Sequence, residues 1–125
     1  MKKLVHFLPA VVFYALIFLV SSRNLGFSIP GRWLDKVPHA LVYAAMGVLL
    51  ARGFFLALPP SAGRLAVGLS FFSGAALGVL DEFHQRYARG RVSDPRDAAA
   101  DAVGVAVGVA VYWYLKRKAS RNRTA

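Results

Sequence analysis

A chain of 125 residues has room for one domain, and at 57% hydrophobic with a mean hydropathy of +0.47 it is too apolar for a soluble domain of that size to hide its surface. A formal charge of +10 raises nucleic acid as a partner, but much of that charge sits at the ends of apolar runs, as membrane anchors do, which excludes nucleic acid and favours the membrane class. The absence of cysteine excludes disulfides, thiolate metal sites and thiol catalysis.

Four apolar stretches follow one another along the chain. The first, Leu4 to Val20, follows Met1-Lys2-Lys3 and has the outline of a secretory leader. It is longer than a typical leader core, holds Phe13, Tyr14 and Phe18, and ends without an A-x-A site, so a retained membrane helix is expected. The second, Val37 to about Leu58, contains Arg52, whose stem can reach the headgroups, and Pro59-Pro60 ends it. The third, Leu65 to Leu80, extends through Ser61 on one side and Phe83 on the other. The fourth, Ala98 to Leu115, is opened by Asp94-Pro95, an N-cap residue followed by proline at the first helical position. A spanning helix needs roughly 17–25 residues, so the expected fold is an all-α membrane protein with four transmembrane helices in a compact bundle. Residues 1–118 form the domain in this reading, and 119–125 a flexible basic cytoplasmic tail.

With the N-terminus cytoplasmic, that side carries nine basic residues and no acid. The opposite side carries seven basic residues and all six acids: Asp35, Asp81, Glu82, Asp94, Asp97 and Asp101. The basic bias, led by Lys116 to Arg123, points to an N-in, C-in orientation and a multi-pass protein of the bacterial cytoplasmic membrane. Solubilising acids would be scattered over both faces. Gathering every carboxylate on one face, with His39 and His84, points to a site.

Asp35, His39 and Tyr43 are spaced i, i+4, i+8 and share one helix quadrant. Asp35 reads well as an N-cap, but an imidazole in the first turn of an intramembrane helix is costly and argues for a role in the site. In the third helix Gly74, Gly78, Asp81 and Gln85 form one stripe, flanked by Glu82 and His84. Its glycines read as a close-packing seam, which does not explain two carboxylates. Asp97 suits the start of the fourth helix, whereas Asp101 lies one turn deeper without that excuse, on a stripe with Gly104, Gly108 and Tyr112. Helices three and four are expected to pack seam to seam. Arg91 and its neighbours read either as surface ion pairs or as a clamp for an anionic group. No H-E-x-x-H, G-x-S-x-G or P-loop is present, so no metal or cofactor is assigned. A His–Asp pair remains able to do acid/base work, with His39, His84, Asp81 and Glu82 as catalytic candidates.

Asp35-Lys36-x-x-His39-x-x-x-Tyr43, then Asp81-Glu82-x-His84-Gln85, then Arg91 and Arg96-Asp97-x-x-x-Asp101-x-x-Gly104 together resemble the VanZ-like family, small membrane proteins named for a member associated with teicoplanin resistance. The resemblance runs from about Asp35 to Gly108 and implies a four-helix membrane domain with a cell-envelope role. It does not supply a reaction. The expected function is binding of a lipid or lipid-linked glycan headgroup by Asp35, Lys36, His39, Tyr43, Asp81, Glu82, His84, Gln85, Arg91, Asp97 and Asp101. An enzyme acting on such a headgroup, or an assembly protein whose polar cluster only fixes helix packing, are the rivals. The glycine seams also allow a homodimer.

Overall fold

The computed structural model describes residues 2–23, 34–88 and 94–124. Helix α1 runs over Leu8–Ser21 behind a 3₁₀ turn at Leu4–Phe7, α2 over Lys36–Ala57, α3 over Gly63–Gln85 behind a 3₁₀ turn at Pro60–Ala62, and α4 over Pro95–Thr124. No strand occurs among the described residues. With their leading turns, four helices are long and apolar enough to cross a membrane.

The helix ends follow from local chemistry. At Leu58 the backbone turns extended, as the residue before Pro59 must, and α2 stops. Asp94 opens α4: its carboxylate accepts the Arg96 N–H at 3.0 Å and its carbonyl accepts the Asp97 N–H at 2.8 Å. Asp35 does not cap α2 as expected. Its backbone is already helical (φ −70°, ψ −19°) and makes no side-chain cap, and its carboxylate instead meets Lys36 at 2.9 Å.

The C-termini of α1 and α3 and the N-termini of α2 and α4 share one end of the bundle, because Ser21 meets Asp81 and Lys36 meets Asp94. Helices α2 and α4 therefore run parallel, and theirs is the most extensive contact in the fold. Its cause is small residues. A Cβ on Gly104 would collide with the Ala40 carbonyl, and one on Gly108 with that of Ala44, so only glycine lets the two backbones come so near. This corrects the expected seam-to-seam packing of helices three and four. Gly74 and Gly78 do face α4, at Val105 and Asp101, but the α4 glycines turn to α2. A Cβ on Gly78 would sit 2.8 Å from that of Asp101.

Tyr43, Met46, Leu50, Ala51, Val105 and Val109 form the apolar core, with Ala10 of α1 at its edge. Leu8, Leu16, Phe72, Val103 and Val107 point outward, the expected state where the surrounding solvent is lipid. The basic segment expected as a flexible tail from 119 continues α4 as helix through Thr124.

Candidate functional site

The shared end of the bundle gathers the acids into two clusters. In the first, Lys36 at the start of α2 is a hub. Its ammonium meets Asp35 at 2.9 Å and Asp94 at 3.0 Å, and also pairs with Asp97. One turn deeper, His39 Nδ1 lies 3.2 Å from Asp101 Oδ1 while Nε2 lies 3.8 Å from Asp97 Oδ2. The imidazole thus stands between two α4 carboxylates spaced one turn apart. Asp97 and Asp101 are buried and the His39 side chain stays 21% exposed, so the inner part of this cluster is reached through the imidazole, with the more exposed Asp35 and Asp94 above it. At the surface, the Arg96 backbone amide and then the Lys36 ammonium hold the Asp94 carboxyl below its usual range.

The second cluster joins α3 to α1. Asp81, 2% exposed, accepts the Ser21 hydroxyl at 2.9 Å and the Gln85 amide at 3.1 Å, both on Oδ2. The same Gln85 amide reaches Ser21 at 3.3 Å. Oδ1 of Asp81 has no hydrogen-bond partner among the described residues. Beside this cluster, His84 Nε2 lies 2.8 Å from the Ser22 hydroxyl and its ring stacks on Phe18, centroids 4.0 Å apart. Below it, the hydroxyls of Tyr14 and Tyr43 both point to the Leu77 carbonyl, at 3.4 and 3.3 Å. Asp81 lies within electrostatic reach of both His39 and Asp101, which links the clusters.

The structure thus brings Asp35, Lys36, His39, Asp97 and Asp101 into one network and Asp81 and Gln85 into a second, with Tyr43 between them. Glu82 is buried at the same end. His84 belongs to the α1–α3 contact, away from the His39 carboxylates. Arg91, read as an anion clamp, lies outside the described residues. Sequence reasoning missed Ser21, Ser22, Tyr14 and Phe18, all on α1 or its C-terminal edge, and passed over Asp94 as a mere cap. Two serines closing an apolar run are common enough to carry no signal, and their importance comes only from what α3 sets beside them. Among the described residues no three His, Asp or Glu side chains are grouped as metal ligands.

No curated protein and no solved structure matches the chain. The family model described as VanZ/LLP1 matches residues 1–116. That span takes in α1 as well as the three motif-bearing helices, and with them every residue of both clusters. With that match and four membrane-length helices, the chain belongs to the VanZ/LLP1 family.

Proposed function

We propose that the polar end of the bundle binds the head of a lipid or lipid-linked glycan of the cell envelope, by accepting hydrogen bonds from its hydroxyl or amine groups. The observation that carries this reading is Asp81 Oδ1, a buried carboxylate oxygen without a partner among the described residues. Leaving such an acceptor unmet costs about 1–3 kcal/mol, so it calls for a donor. The more exposed Asp35 and Asp94, and then partly exposed His39, give an incoming headgroup its polar contacts. The close approach of Gly104 to Ala40 and of Gly108 to Ala44 packs α2 on α4 without polar groups, so packing of that pair alone does not account for the carboxylates beside it. Teicoplanin carries an acyl-sugar part, so altered susceptibility to it follows if that part, or the lipids it meets, engages this site.

Native mass spectrometry of the protein released from lipid nanodiscs tests the proposal. Wild type should carry a discrete lipid or glycolipid mass that folded Asp81→Asn and His39→Gln variants lose. Bare wild type, or variants that keep the same mass, would overturn it.

One observation supports an enzymatic reading of the same site. The His39–Asp101 contact at 3.2 Å has the form of an oriented acid/base pair. His39→Ala would then abolish headgroup turnover while leaving affinity in place, whereas a binder has no turnover to lose.

A further inference from the structure

The strongest charge in the molecule lies at the other end. Between Ala102 and Ala125 there is no acid, and Lys116, Arg117, Lys118, Arg121 and Arg123 crowd the last turns of α4. All five are exposed, and none has a carboxylate within ion-pair distance among the described residues. Helix length fixes where they stand. Thirty residues span about 45 Å, against a hydrocarbon layer of roughly 30 Å. Counted from Pro95, that layer ends about 20 residues on, near Tyr114. Lys116 to Lys118 then fall at headgroup level, with Arg121 and Arg123 at its outer edge.

Neighbouring aromatics fix that level. Arg117 lies over the Trp113 ring at 5.2 Å and Lys116 over the Phe55 ring at 5.3 Å, so both cations rise from the aromatic belt of a membrane interface. Arg52 and Arg64, also exposed, sit at the same end of α2 and α3. We infer that this helical extension is a binding surface for anionic phospholipid headgroups of the adjoining leaflet. The chemistry is complementary: a cationic surface without internal counter-charge, held at phosphate height by the span it continues.

The test uses the full chain in bilayers of phosphatidylcholine with a minor fraction of phosphatidylglycerol. Spin-labelled lipids report which headgroup is immobilised at the protein. Wild type should prefer phosphatidylglycerol several-fold, and high salt should weaken the preference. A variant with Lys116, Arg117, Lys118, Arg121 and Arg123 all replaced by Gln should lose that preference, its ratio falling to about one. The variant R117K/R121K/R123K should keep it. Circular dichroism checks that both variants remain helical. An unchanged preference in the Gln variant would overturn the inference. So would capture of an RNA oligomer in pure phosphatidylcholine that phosphatidylglycerol does not compete away.

Discussion

His39 of α2 and Asp101 of α4 meet at 3.2 Å on parallel helices, one turn from the point where Gly104 lies against the Ala40 carbonyl. The close approach sets the polar contact, because two helices held at glycine distance have no room to keep imidazole and carboxylate apart. His39→Ala leaves Asp101 buried without its partner and should destabilise the protein by roughly 1–3 kcal/mol. Adding Asp101→Ala should recover part of that loss. Thermal unfolding in detergent gives the double-mutant cycle, and purely additive losses would show that the pair is not coupled.

The glycines make a sharper contrast. Gly108→Ala drives a methyl into the Ala44 carbonyl and should cost about 1–3 kcal/mol through strain between α2 and α4. At Gly68 an added Cβ meets nothing, so Gly68→Ala should be neutral or stabilise α3 by up to ~1 kcal/mol. Equal losses from both would contradict the packing described.

Helix α1 touches the bundle least, and Ser21–Asp81 is its polar fastening. Ser21→Ala removes a donor from a buried carboxylate while leaving Gln85 in place. Amide exchange over the last turns of α1 should rise, with little change in α2 or α4. Protection that stays uniform would assign the hold on α1 to Tyr14, Phe18 and apolar contact instead.

Acid should also act at the start of α4, though only at low pH. The Arg96 amide and Lys36 hold the folded-state pKa of Asp94 below its ordinary value of 3.8. A lowered pKa means stability that is complete above the unfolded value and lost as pH falls through the folded one. The advantage of wild type over Asp94→Asn in thermal unfolding should therefore persist at neutral pH and shrink below about pH 4. An advantage independent of pH would leave only the cap geometry to explain it.

Much of this protein is written in single segments. Apolar runs of membrane length, Pro59-Pro60 and Asp94-Pro95 fix four helices and their ends, because each depends only on solvent and on a few adjacent backbone angles. The one-sided distribution of Asp, Glu and two histidines marks which helix ends carry the polar clusters, for the same reason that burying charge in lipid needs a cause. What the sequence could not decide was pairing. The seam Gly104-x-x-x-Gly108 offers the same small surface to any neighbour, and only the closed bundle turns it to Ala40 and Ala44 of α2. The same holds for Asp35, which reads as a cap until Lys36 claims it, and for His84, whose place against Phe18 and Ser22 no spacing along α3 foretells. Spacing along a helix determines which residues share a face. Which face meets which is set by total packing energy, a property of all four helices together.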